Sequence, residues 1–192
     1  MRFVTLRVGL IVVGLLTGAG GFAGAAEAVV PKVGDEAKDF ELPALGGEKG
    51  DAVKLSALTA KGPVVLVVLR GYPGYQCPLC TRQFGEFLGK ADEFKAAKAQ
   101  VVFVYPGPSD KLAGYAADFV KGKDYPKHFT VLLDPDYAFT NAYGLRWEAK
   151  NETAYPATFV IDAKRAVTFA KVSKTHGDRS SVANVLKAVA AK

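Results

Sequence analysis

The sequence predicts an α/β layered domain, and three observations carry that expectation. First, residues 63–69 (PVVLVVL) and residues 101–105 (VVFVY) are continuously apolar and rich in β-branched residues. Runs of that length and composition belong to strands buried on both faces of a central sheet. Second, the stretch between them turns helical: Leu79, Phe84, Phe87, Leu88, Ala91 and Phe94 recur at three- and four-residue spacing, an apolar stripe suited to covering a sheet. Third, the order β-α-β-α-β-α-β-β-α has no internal repeat and no low-complexity linker. It therefore reads as one domain whose first half is a right-handed β-α-β unit.

The elements follow in order. Residues 1–25 hold two arginines, Arg2 and Arg7, then an apolar run (GLIVVGLL) and a small-residue segment. That order is expected of a secretory signal peptide, with Ala23-Gly24-Ala25 as the small-x-small cleavage pattern and Ala26-Glu27-Ala28 as a second option. A membrane anchor is the alternative, but the apolar core is shorter than the ~20 residues a spanning helix needs. Residues 31–50 are polar and punctuated by Gly and Pro, with Phe40 and Leu42 alternating, which suggests a short strand or hairpin covering a sheet edge. The strand at 63–69 ends at Arg70-Gly71, and Tyr72-Pro73-Gly74-Tyr75 forms a turn. One helix is expected from Pro78 to about Ala99. After the strand at 101–105, Pro106-Gly107-Pro108 marks its end, and Ser109-Asp110 opens a helix closed by Gly122. Residues 129–133 read as a short strand ended by Asp134-Pro135. Residues 136–143 read as a short helix with Gly144 at its C-cap. Residues 155–162 and 167–172 pair as a hairpin across the turn Ala163-Lys164-Arg165. A last helix covers residues 180–190, with Val182, Val185, Leu186 and Val189 on one side.

The formal charge is +6 over 192 residues, and the basic residues are scattered among acidic ones. A nucleic-acid footprint would be a clustered basic stripe, so the charge reads as a solvated surface and no nucleic-acid partner is expected. After signal cleavage no stable membrane anchor remains.

Both cysteines lie in GYPGYQCPLCTRQF, residues 71–84, as Cys77-Pro78-Leu79-Cys80. Export places them in an oxidising compartment. A disulfide closing so short a loop removes little unfolded-state entropy, so a structural staple is disfavoured. A zinc site would have to recruit His128 and His176, whose spacing is not finger-like. Neither a metal site nor a cofactor is expected. A redox pair fits better. Cys77 falls near the N-cap of the helix and Cys80 in its first turn, while Pro78 sits at N1, where its missing N–H costs nothing. Unpaired amides and the helix dipole point at the sulfurs and favour thiolate, lowering a cysteine pKa from about 8.5 to roughly 3.5–7.5. Arg70 and Arg82 flank the site and can lower it further. The thiolate attacks a disulfide or a peroxide O–O bond, and the second thiol closes an intramolecular disulfide. Pro156, just before Thr158-Phe159-Val160-Ile161-Asp162, is expected as a cis-proline that brings backbone polar groups beside the sulfurs.

Over residues 31–190 the chain resembles the thioredoxin superfamily, and within it the peroxiredoxin-like branch (the alkyl hydroperoxide reductase/thiol-specific antioxidant, or redoxin, family). Residues 34–42, 63–69, 129–136 with 143–145, and 158–162 resemble successive segments of that family, in order. The resemblance implies a thioredoxin-like fold over residues 31–192, a central mixed β-sheet flanked by helices, and an antioxidant thiol oxidoreductase. Its substrate would be a hydroperoxide or a protein disulfide, and its reductant an external thioredoxin-like dithiol.

The catalytic motif departs from the family in two places. Peroxiredoxins carry P-x-x-x-T/S-x-x-C, and Pro73, Cys77 and Cys80 keep that spacing with a thiol in place of the hydroxyl. In that register Cys80 attacks. In the thioredoxin register Cys77 attacks and Cys80 resolves. The family's R-x-T-F is P-x-T-F here, with Pro156 in the arginine position. Arg70, Arg82 and Arg146 are the candidates to replace that arginine. Cys77, Cys80, Pro156 and Arg82 are the expected site residues. Tyr72 and Tyr75 are expected to pack over the loop, and His176 to lie exposed in a turn. Trp147 either covers the site or packs elsewhere. Asn151-Glu152-Thr153 is a glycosylation sequon.

Overall fold

The computed structural model describes Met1 and residues 28–47 and 51–191. The predicted signal peptide falls outside the described residues. Seven strands and six helices are present among those described. β1 (Glu41–Pro43) and β2 (Ala52–Lys54) form an antiparallel hairpin. β3 (Val64–Val68), β4 (Gln100–Gly107), β5 (Phe129–Pro135), β6 (Ala157–Ile161) and β7 (Val167–Val172) form one sheet in the order β5-β4-β3-β6-β7. β3 runs parallel to β4, and β4 to β5, while β6 is antiparallel to β3 and to β7. The sheet is therefore mixed, and β3 is its middle strand.

The middle position explains the composition of residues 63–69. Every residue of β3 is buried, and successive side chains go to opposite faces. Val65, Val67 and Leu69 join Val101, Phe103 and Tyr105 in one core. That core is completed by the helices α2 (Pro78–Leu88), α3 (Ala91–Ala96), α4 (Leu112–Val120) and α6 (Val182–Ala190). Val64, Leu66 and Val68 join Val102, Val104, Phe159 and Ile161 in the other. That second core is closed by Leu42 of β1, by Leu55 and Leu58 of α1 (Leu55–Thr59), and by Phe139 of α5 (Ala138–Ala142). The β1–β2 hairpin does cover an edge: the Leu45 amide donates to the Val131 carbonyl of β5 at 2.8 Å.

Several expected boundaries move. The single helix expected over 78–99 is two. α2 ends at Gly89, and the Lys90 carbonyl then accepts from the Glu93 and Phe94 amides to start α3. Glycine is a poor helix interior residue, and the break lets Phe94 stack on Phe87 at 5.6 Å. Ser109 does not cap α4. Its amide donates to the Asp136 carboxylate at 2.8 Å, and α4 begins after Lys111, whose φ is 61°. α5 is shorter than expected because Asp136 and Tyr137 have left-handed backbones. Its free amides are met instead by buried Asp134, which accepts from Phe139 at 2.8 Å and Thr140 at 3.0 Å. No described helix is long and apolar enough to cross a membrane.

Candidate active site

The site lies where β3 gives way to α2. The backbone turns at Gly71, whose φ is 71°. A Cβ there would run into the Pro106 carbonyl of β4, so glycine allows both the turn and the close approach. Cys77 is the N-cap of α2, in extended conformation, with Pro78 at N1. The Cys80 amide donates to the Cys77 sulfur at 3.3 Å. That is the interaction a serine or threonine makes at this position, here made by sulfur. The helix is held in place by Phe84, which packs on Phe103 at 4.7 Å and Phe119 at 5.5 Å.

Both cysteines are free thiols, 3 % and 0 % exposed. The Cys77 pKa is lowered to about 6. The largest cause is the Cys80 thiol, which donates to it; against burial, the Cys80 amide and the charges of Arg179 and Arg70 lower it further. Burial pushes the Cys80 thiol well above the usual range, and its bond to Cys77 holds its proton in place. The arrangement therefore puts a thiolate at the helix N-terminus beside a neutral thiol one turn on.

No sequence motif marks Arg179. Its Nη2 lies 3.4 Å from the Cys80 sulfur and 3.9 Å from the Cys77 sulfur. Nε donates to the His176 carbonyl at 2.8 Å and Nη1 to the Gln83 side chain. It comes from the segment between β7 and α6, which reads as an ordinary polar loop. A pattern of Gly and polar residues announces a loop and says nothing of where the loop lies.

The expected arginines are placed differently. Arg82 is a correction: its side chain is 63 % exposed and pairs with Glu86 one turn along α2. Residue 82 falls on the solvent side of the helix whose other side carries Cys80 and Phe84. Arg70 is buried and spends its guanidinium elsewhere, on both Glu152 oxygens at 2.7 and 3.0 Å, the Asn151 carbonyl at 2.8 Å and the Tyr75 hydroxyl. Arg146 bonds the carbonyls of Trp147, Glu152 and Thr153 and lies over the Tyr137 ring at 4.0 Å.

Pro156 is the second correction. No described peptide bond is cis. Pro156 is buried and trans, and its carbonyl accepts from the Ser173 amide at 2.8 Å, tying β6 to the segment after β7. Tyr72 packs against α4, stacked on Tyr115 at 3.6 Å. Tyr75 stays half exposed. Trp147 stacks on Tyr155 at 4.6 Å and meets the His176 ring at 5.1 Å. His176 is not free in solvent: its Nε2 lies 3.0 Å from the Glu152 carboxylate. No group of three or more potential metal ligands is found among the described residues.

A dithiol capping the helix that follows the middle strand of this mixed sheet defines a thioredoxin-like thiol oxidoreductase. Comparison with known proteins narrows the class. Residues 33–170 match the model of the AhpC/TSA family. A Mycobacterium tuberculosis relative assigned as a peroxiredoxin is 34 % identical over 138 residues, which is 71 % of this chain and 82 % of the relative. The crystal structure of peroxidoxin BcpB from the same organism superposes with a TM-score of 0.64 at 28 % identity, covering 83 % of this chain and 96 % of that one. A Chlorobium tepidum structure assigned as a thiol:disulfide interchange protein DsbE has a TM-score of 0.59 at 26 % identity, covering 83 % and 99 %. The chain belongs to the AhpC/TSA family and is a thiol-dependent oxidoreductase.

Proposed function

We propose that the chain reduces hydroperoxides, with Cys77 as the attacking thiolate and Cys80 as the resolving thiol. The observation that carries this reading is the burial of both cysteines, 3 % and 0 % exposed, with an arginine against their sulfurs. A peroxide group of two oxygen atoms reaches the dithiol in this closed arrangement more readily than a disulfide on a folded protein does, and the later exchange with an external dithiol requires the oxidised pair to become exposed. The Cys77 thiolate attacks one peroxide oxygen and the O–O bond breaks. The sulfur becomes a sulfenic acid, and the departing oxygen takes a proton to leave as alcohol or water. The Cys80 sulfur then attacks the sulfenic sulfur, releasing water and forming a Cys77–Cys80 disulfide. An external thioredoxin-like dithiol returns the pair to two thiols, its own sulfurs becoming a disulfide.

The assignment of Cys77 rests on three features: the N-cap position, the amide of Cys80 aimed at its sulfur, and the pKa of about 6. The family spacing from Pro73 favours Cys80 instead. Stopped-flow peroxide oxidation of Cys77→Ser and Cys80→Ser separates the two. Cys80→Ser is expected to be oxidised once, rapidly, to a sulfenic acid, and Cys77→Ser to react no faster than a free thiol. The opposite pattern would restore the family register.

The Chlorobium neighbour and the thioredoxin-like position of Cys77 favour a second reading, a thiol-disulfide reductase acting on proteins. Wild-type protein that reduces insulin rapidly but ignores peroxide would support it against the first. The leader pattern of residues 1–25 further supports export, which the N-terminus of the protein recovered from the exported fraction tests.

A further inference from the structure

We propose that Arg179 is the catalytic arginine of this chain, in contact with both reacting sulfurs, and that Glu152 is a positioning residue that holds the Arg179 segment over them. This rests on the peroxidase reading above. The nitrogens of Arg179 have different partners. Nε and Nη1 are taken by the His176 carbonyl and Gln83. Nη2 meets only the two sulfurs among the contacts of the described residues. It is therefore the nitrogen left to donate to a peroxide oxygen seated against Cys77. As the O–O bond breaks, negative charge grows on the departing oxygen, and a fixed cationic donor there stabilises it.

None of the other candidate guanidiniums is disposed this way. Arg70 is engaged by Glu152, Asn151 and Tyr75, Arg146 places Nη1 on three carbonyls with its guanidinium over the Tyr137 ring, and Arg82 pairs with Glu86 on the outer face of α2.

Glu152 is what ties the loop down. One of its oxygens bonds Arg70 Nε at 2.7 Å, and the other lies 3.0 Å from both Arg70 Nη2 and His176 Nε2. His176 in turn offers its carbonyl to Arg179. A single carboxylate thus links the end of β3 to the segment that delivers the arginine. The charged and titratable groups acting on the two thiols are Arg179 and Arg70, both positive, and Tyr105, whose phenol burial keeps neutral and whose hydroxyl donates to Gln76.

The test combines ultraviolet titration of the thiolate with single-turnover oxidation by hydrogen peroxide. Arg179→Met is expected to slow oxidation by about 100-fold, as removal of one fixed donor at a developing oxyanion does. It should also move the thiolate titration to higher pH by roughly one pH unit. Arg179→Lys is expected to recover the titration largely and the rate only in part, because an ammonium supplies charge without the planar fork. Glu152→Gln should shift both readouts in the same direction by less, and Arg179→Met/Glu152→Gln should react within about twofold of Arg179→Met alone, since Glu152 acts through Arg179. Should Glu152→Gln fail to fold, His176→Phe cuts the same tie, leaves the Arg70–Glu152 pair intact and carries the same expectations. An Arg179→Met protein with unchanged rate and titration would overturn the proposal, and multiplicative losses in the double variant would overturn the role of Glu152. Wild-type protein inert to peroxide would remove the peroxidase reading and, with it, the catalytic role of Arg179; the titration would still read whether Arg179 holds the thiolate.

Discussion

At the scale of single residues, the two sulfurs differ because their surroundings differ. Cys77 receives a thiol and an amide and faces cations; Cys80 is enclosed and keeps its proton. Reactivity should therefore follow the titration of Cys77. Its folded pKa is about 6, below the ordinary thiol value, so the nucleophilic form is present above that pH and lost as pH falls through it. The second-order rate with hydrogen peroxide is expected to be flat from about pH 7 to 8 and to drop about tenfold for each pH unit below the pKa. A rate that instead climbs steadily to pH 9 would mean that the attacking sulfur is not the one stabilised here. Replacing the family hydroxyl with the Cys77 thiol is in this light a change of role. On the proposed reading the position of the family hydroxyl carries the nucleophile, and the other thiol lies one helical turn away.

At the scale of elements, the chemistry depends on where α2 begins and how firmly it is seated. Pro78 at N1, Cys77 at the N-cap and Gly71 in the preceding turn set the start. Phe84 sets the seat, wholly buried among Phe103, Phe119 and Tyr125. Phe84→Ala is expected to cost about 3–5 kcal/mol of stability in guanidinium unfolding, from lost burial and a residual cavity. It should also slow peroxide oxidation, because Gln83, which holds Arg179, precedes it on the same turn. A loss below about 1 kcal/mol would mean that the helix is anchored by something other than this aromatic cluster.

At the scale of the whole molecule, the site is assembled from chain segments far apart in sequence. The sulfurs come from the β3–α2 junction, the arginine from the segment before α6, and the carboxylate linking them from the stretch before β6. Val30 packs against the second core, downstream of the leader pattern. If export proceeds as proposed, mass spectrometry of the protein from the exported fraction should find Ala26 at its N-terminus, or Val29 where the second cleavage pattern is used. An exported chain still beginning at Met1 would refute cleavage.

Much of this was legible beforehand. Buried strands in a doubly covered sheet need uninterrupted Val and Leu, so residues 63–69 and 101–105 declared themselves, and the hairpin of β6 and β7 followed from alternation around a turn. Cys77 at the cap and Pro78 at N1 were readable because capping is a local interaction between residues a few positions apart. Helix ends were less so: the break at Gly89 and the late start of α4 depend on Phe94 finding Phe87 and on Asp136 taking the Ser109 amide, contacts that composition does not encode. Least legible were the cations. Arg82 is adjacent to the site in sequence yet faces solvent, since an α-helix turns successive side chains to different sides. Arg179 is 99 residues from Cys80 along the chain and reaches it through a loop. The fold class and the seat of the two cysteines on a helix were readable from residue order, because periodicity and capping act over a few residues. Which arginine meets the sulfurs, and the trans bond at Pro156, depend on how packing brings distant segments together.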